Sequence, residues 1–195
     1  MNEITKTRES TPLRRVRSTV IISGLSELRA RGHYERYLAG LEPAMREAIV
    51  AAIAGTWLPV EVATAHFGGV DALGLGADES FDIGAASARR FQQTLWGTLI
   101  RVAIAGGADP WLILGAYDRL WARVFDGGGF RVQQIGPKDA TIEIRAVPLC
   151  RFAYFRDALR GVNTSGLGIL ARSLYVRELP HRTNATGMCL RASWA

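Results

Sequence analysis

Cysteine, lysine and long apolar runs are all scarce in this chain. Its 195 residues hold two cysteines, Cys150 and Cys189, without any CxxC spacing. That excludes a disulfide framework and gives no zinc signature. The longest unbroken apolar run, Ala48 to Ala54, falls far short of the roughly 20 residues that span a bilayer, so no membrane span is expected. The first 20 residues carry Glu3, Lys6, Glu9 and a cluster of arginines at 14, 15 and 17. They contain no apolar core of the kind a secretory signal needs, and a reducing, cytoplasmic setting is the expectation. No Gly-x-Ser-x-Gly turn, HxxxH pair or HxH pair occurs, so neither a nucleophile elbow nor a local metal site is written in the chain. No enzyme, no metal and no cofactor is therefore predicted.

What is present is the composition of a globular domain. With 48% apolar and 22% charged residues, the chain is too apolar for wholesale disorder and long enough to bury one sizeable core. The net charge of +6 is carried by the two ends. Residues 1–17 hold five bases against two acids, residues 147–195 hold seven arginines against Asp157 and Glu178, and the stretch between is slightly acidic. Of 24 bases only Lys6 and Lys138 are lysine, which reads either as a preference for bidentate anion contacts or as coding bias. Arg151, Arg156 and Arg160 are spaced to line part of a helix face. No DNA or RNA motif accompanies them, so a solvated face is expected there and nucleic acid is not an expected partner.

Hydrophobic periodicity divides the rest. Residues 1–17, polar and interrupted by Pro12, are expected as a disordered tail, and 18–195 as a single domain. Helical stripes run through Leu25 to Leu41, through Met45, Ile49 and Ile53 after Pro43, and through Val62, His66, Phe67 and Val70. A helix of about 25 residues is predicted from Asp78 onward, with Gly84 on its apolar stripe. Another follows Asp109-Pro110 and carries Tyr117, Trp121 and Val124. The period then changes to 2. Phe130 and Val132 pair by pattern with Ile142 and Ile144 across a Gly-Pro-Lys-Asp turn, a helix is predicted near Leu149–Leu159, and two strands close the chain. The fold class predicted is α+β: an N-terminal helical half followed by a small antiparallel sheet with one inserted helix.

Several landmarks occur in a telling order: Trp57-Leu58-Pro59, the long helix containing Gly84, Leu120-Trp121 followed by Phe125-Asp126-Gly127-Gly128, and Gly187-Met188-Cys189 with Trp194. From Val20 to Trp194 the chain resembles an uncharacterised bacterial paralogous family related to the 4-vinyl-reductase domains, the haem-NO-binding domains and the TRAPP trafficking subunits. The resemblance implies an apolar cavity between helices and sheet, a hydrophobic small-molecule ligand, a role in signalling, and a homodimer. Two departures stand out. The closing Thr186-Gly187-Met188-Cys189-Leu190-Arg191 is acid-free where the family carries acids. None of the five tyrosines begins the Tyr-x-Ser-x-Arg signature of the haem-binding relatives, so haem does not carry over.

Side chains that are bulky yet carry a polar hydrogen suit a cavity wall better than leucine or isoleucine does. The candidate lining is Trp57, His66, Trp96, Tyr117, Trp121 and Tyr154. Three readings follow: a non-catalytic domain binding or sensing a hydrophobic ligand, a ligand-free scaffold docking a protein partner through its basic C-terminal third, and a haem sensor using His66.

Overall fold

Where the hydrophobic period changes, the chain changes layer. The computed structural model describes residues 5–95 and 109–195; Trp96 lies outside them. The helices are α1 (Ser18–Ala30), α2 (Tyr34–Ala39), α3 (Pro43–Val50), α4 (Val60–Asp71), α5 (Ala77–Leu95), α6 (Pro110–Gly115), α7 (Tyr117–Val124) and α8 (Ala153–Leu167). The strands are β1 (Thr5–Arg17), β2 (Trp57–Pro59), β3 (Phe125–Gly136), β4 (Asp139–Arg145), β5 (Leu174–Glu178) and β6 (Met188–Trp194). All pair antiparallel in the order β2-β1-β3-β4-β6-β5. The fold is thus mixed α/β, with helices gathered in the N-terminal half and a six-stranded antiparallel sheet into which α8 is inserted. No helix among the described residues is long and apolar enough to cross a membrane.

The expected disordered tail is corrected by β1, which from Thr5 onward pairs with β3 from Thr5↔Gln133 to Val16↔Phe125. Two register shifts, between Arg8 and Thr11 and between Thr11 and Arg15, break the alternation by which a strand is recognised. Its buried apolar residues, Leu13 and Val16, are consequently three apart. The Gly127-Gly128-Gly129 run is part of the same structure. A Cβ on Gly127, which has φ +97°, would stand 2.2 Å from the Pro12 carbonyl oxygen, and one on Gly129 would stand 2.7 Å from Ser10 Oγ. The glycines are where β1 lies directly on β3.

Local chemistry starts the helices where the pattern placed them. Pro43 and Pro110 occupy first-turn positions, where a missing amide hydrogen costs nothing, and the Asp109 side chain accepts from Trp111 N–H at 3.0 Å. The inserted helix begins at Ala153 instead of near Leu149, because Pro148–Arg151 forms a 3-10 turn. Its first turn is capped from a distance: Asp71 Oδ1, at the end of α4, accepts from Tyr154 N–H at 2.8 Å.

Helix α8 touches α4, α5, α6 and β5. It crosses α5 at a reciprocal pair of glycines. A Cβ on Gly84 would fall 1.9 Å from the Ala158 carbonyl oxygen, and a Cβ on Gly161 would fall 2.1 Å from that of Phe81. The two backbones are in direct contact, an approach that only glycine permits.

On the sheet, Asp139 of β4 is fixed by β6. Arg191 donates to it through Nε, at 3.1 Å from each oxygen, and through Nη2, while Ser193 Oγ donates at 3.1 Å. Arg191 holds the Asp139 carboxyl below its ordinary range against the opposing effect of burial. A group with a depressed folded pKa contributes stability above the ordinary carboxylate range and loses it as pH falls through that range. Asp139→Asn is expected to cost about 1 kcal/mol at neutral pH, the upper end for partly exposed pairs, and less at pH 3, where protonation of the carboxyl removes part of the contribution. Urea unfolding at the two pH values checks this.

Candidate functional site

The expected lining residues divide into two clusters and one outlier. His66, on α4, is buried at 1% exposure. The hydroxyl of Tyr37, from α2, is hydrogen-bonded to its Nδ1 at 2.8 Å. The imidazole also packs edge-on against Phe67, with ring centres 5.0 Å apart. Tyr154 arrives from α8, and its ring leans on Phe67, which in turn meets Phe155 edge to face at 5.0 Å. Helix α1 closes the cluster with Gly24, whose Cβ position is 3.3 Å from His66 Nε2 and 3.6 Å from the Tyr154 hydroxyl. The heads of His66 and Tyr154 converge over a helix position without a side chain.

Burial sets the electrostatics of this cluster. It pushes His66 down to about 3, so the imidazole is neutral through the physiological range. It raises the Tyr37 and Tyr154 phenols, which therefore stay protonated. Beyond Tyr154 lies Glu27 of α1, 7% exposed and paired with Arg90 at 2.7 Å and Arg31 at 3.7 Å.

The second cluster is satisfied internally. Tyr117 donates to Asn163 Oδ1 at 3.2 Å, and Trp121 Nε1 donates to the Gly127 carbonyl at 3.0 Å. Tyr117 meets Phe130 edge-on at 5.0 Å, and Trp121 meets Phe125 at 4.6 Å. Burial pushes the Tyr117 phenol up to about 12. Trp57 belongs to neither cluster. It lies on β2, half-buried beneath the Arg17 guanidinium, which sits 3.9 Å from its ring centre. The six candidates are not gathered around one space, and Trp96 is outside the described residues.

Periodicity did not single out Gly24, Tyr37, Glu27 or Asn163 as site residues. Gly24 had a local signal, since a glycine inside an apolar helical stripe marks a close approach. Tyr37, 29 positions from His66, had none.

Among the described residues no group of three His, Cys, Asp or Glu side chains could hold a metal ion. Cys150 and Cys189 are free and buried. Burial pushes the Cys150 thiol up to about 12 and also raises Cys189, which keeps both thiols protonated. The basic C-terminal third is partly neutralised, because four of its seven arginines have acid partners: Arg156 with Glu178, Arg160 with Asp157, Arg182 with Glu143 and Arg191 with Asp139.

No protein-family model and no curated protein matches this chain by sequence. Solved structures do match in fold. The H-NOX protein of K. algicida, Fe(II) and unliganded, aligns with a TM-score of 0.68 over 92% of this chain and 96% of its own at 9% identity. An oxygen-binding H-NOX domain related to soluble guanylate cyclases aligns with a TM-score of 0.57 over 91% and 94% at 11% identity. A mutant of the T. Tengcongensis H-NOX gives 0.58 over 91% and 97% at 9% identity. This chain therefore has the H-NOX fold.

Haem is the group that fold implies, and the described residues do not fit it. An iron must stand about 2 Å from a ligating imidazole nitrogen, with a flat macrocycle around it. Nε2 of His66 faces the backbone of α1 at Gly24, and Nδ1 is occupied by Tyr37. His33 Nε2 is 2.8 Å from Glu79 Oε1, and His181 is exposed on the Pro180–Arg182 turn. No imidazole among the described residues is presented to an open plane.

Proposed function

We propose that this chain is a non-catalytic small-molecule binding or sensing domain whose ligand is largely apolar and carries one hydrogen-bonding group. One observation carries it: the hydroxyl of Tyr154 and Nε2 of a buried, neutral His66 both face the bare α1 position at Gly24, amid an otherwise aromatic cluster. A phenol hydroxyl and an imidazole nitrogen converging on one point of an apolar cluster offer a hydrogen-bonding pair to the polar group of a guest molecule. The fold supports the sensing class, since H-NOX proteins with the same architecture include one described as oxygen-binding. Haem is not the ligand proposed, and a homodimer is the assembly proposed.

Native mass spectrometry of the protein purified without detergent should find an apolar passenger. Tyr154→Phe should weaken its retention about tenfold, the worth of one good hydrogen bond, while leaving the melting temperature within a few degrees. A passenger-free protein, or retention indifferent to Tyr154→Phe, overturns the proposal. Hemin added to the apoprotein should give no Soret band that His66→Ala alters; light scattering reads the assembly.

A further inference from the structure

A groove beside the start of α8, away from the α5 crossing, has its own chemistry. It is an open depression between the Pro148–Arg151 turn, the first turns of α8 and the connection from β5 to β6, with about 440 Å³ of accessible space. Arg151, Arg156, Glu178, Thr183 and Asn184 contribute its polar lining. We propose that this groove binds a small oxyanion-bearing molecule, its carboxylate or phosphate held by Arg151 and Arg156.

The donors outnumber the acceptors. Arg156 is held in place by one hydrogen bond, Nη1 to the Cys150 carbonyl at 2.8 Å. Its Nε stands 3.4 Å from Glu178 Oε1. That is a charge contact only, because the buried Nε has no hydrogen-bond partner. Arg31 and Arg46 also carry an unpartnered buried Nε; Arg156 differs from them in lining this groove. Arg151 lies 4.7 Å over the Phe152 ring and has no acid partner among the described residues. Asn184 uses its Oδ1 to accept from Thr186 N–H at 2.9 Å and Thr186 Oγ1 at 3.3 Å, which leaves its amide N–H donors for the groove. Thr183 Oγ1 is committed to the Leu179 carbonyl at 3.3 Å.

The charges agree with that count. On the groove's lining two guanidinium groups stand with one carboxylate, Glu178; Asp157, which also feels Arg156 and Glu178, is paired with Arg160. Arg182, on the neighbouring turn, is already paired with Glu143 at 3.2 Å and adds little. A planar guanidinium fork matches the two oxygens of a carboxylate or phosphate, and water-exposed charge alone does not provide that geometry. This site is separate from the Tyr154 cluster and does not depend on the function proposed above.

Calorimetric titration of the full chain at low ionic strength tests it, with inorganic phosphate and malonate as probes. At least one should bind. Arg151→Gln, an exposed position whose loss leaves the fold intact, should weaken it about tenfold, the loss expected for one charge-assisted bidentate contact. Arg172→Gln, an exposed arginine away from the groove, should leave the affinity unchanged. Binding of phosphate alone assigns a phosphorylated ligand, of malonate alone a carboxylate, and of both an oxyanion site of broad choice. Silence with both probes, or equal weakening by Arg151→Gln and Arg172→Gln, overturns the proposal. Because Tyr154→Phe leaves this groove untouched, it should not alter either titration, so the two sites fail separately.

Discussion

Gly84→Ala is expected to destabilise the protein by about 3 kcal/mol or more, at the upper end of overpacking costs, and to lower its melting temperature by roughly 10 °C. In most helices the same substitution helps, because alanine loses less backbone entropy on folding. Here the sign reverses. The added methyl would fall 1.9 Å from the Ala158 carbonyl oxygen and 2.5 Å from its carbon, and the obstacle is backbone, which has no rotamer with which to retreat. The helices must separate, and α8 cannot move alone because it also contacts α4, α6 and β5.

Gly161→Ala meets the reciprocal obstacle, the Phe81 carbonyl oxygen at 2.1 Å, and should cost a similar amount. The double variant should lose less than the sum, since the gap opened for one methyl also admits the other, a coupling expected of residues in contact. Gly166→Ala is the control. It lies on the same helix with nothing within 4 Å of its Cβ position, and should be neutral or stabilising by a few tenths of a kcal/mol. Thermal melts of the four variants separate a crossing that needs glycine from one that merely contains it.

The same crossing shows what a sequence can and cannot disclose. The helical stripes up to Leu95 and the hairpin from Phe130 to Ile144 are local patterns, and they survive in the structure because burial on one face wrote them. The rest of the long helix predicted from Asp78 lies outside the described residues, and the helix predicted after Pro110 is broken at Ala116 into α6 and α7. Strand β1 was invisible for the opposite reason. Two register shifts spoil its alternation, Pro12 interrupts it, and the glycines that receive it lie more than 100 positions away. Misreading β1 also hid the place of Trp57. A tryptophan with no known neighbour looks like a cavity wall, whereas Arg17, the last residue of that strand, covers its ring. His66 was legible as a histidine on an apolar helical face. Its partners Tyr37 and Tyr154 come from different helices, and only the packing of α1, α2, α4 and α8 brings the three together.

Acid should unfold this protein early, and His66 is the reason. In the unfolded chain its imidazole takes up a proton near pH 6.5, whereas burial holds the folded pKa at about 3. Between those values the unfolded state binds one proton more than the native state, so stability rises with pH, is fully present above about 6.5 and is lost as pH falls toward 3. At about 1.4 kcal/mol per pH unit, the loss between pH 7 and pH 5 comes to about 2 kcal/mol. Carboxylates contribute elsewhere. Asp126, Asp139 and Glu143 are held below their ordinary range by arginine partners, so their stabilising effect disappears only as pH drops through about 4. Asp157, raised by burial, works in the opposite direction in that same acid range. Of these groups, His66 is the one whose charge changes between pH 6.5 and 5. His66→Asn keeps a polar atom near the Nδ1 position for the Tyr37 hydroxyl but cannot titrate. It should lower stability at pH 7 through lost ring packing while flattening the dependence between pH 7 and pH 5. Denaturant unfolding across that interval decides the matter: a slope that persists in His66→Asn would mean that the buried imidazole is not the group the acid attacks.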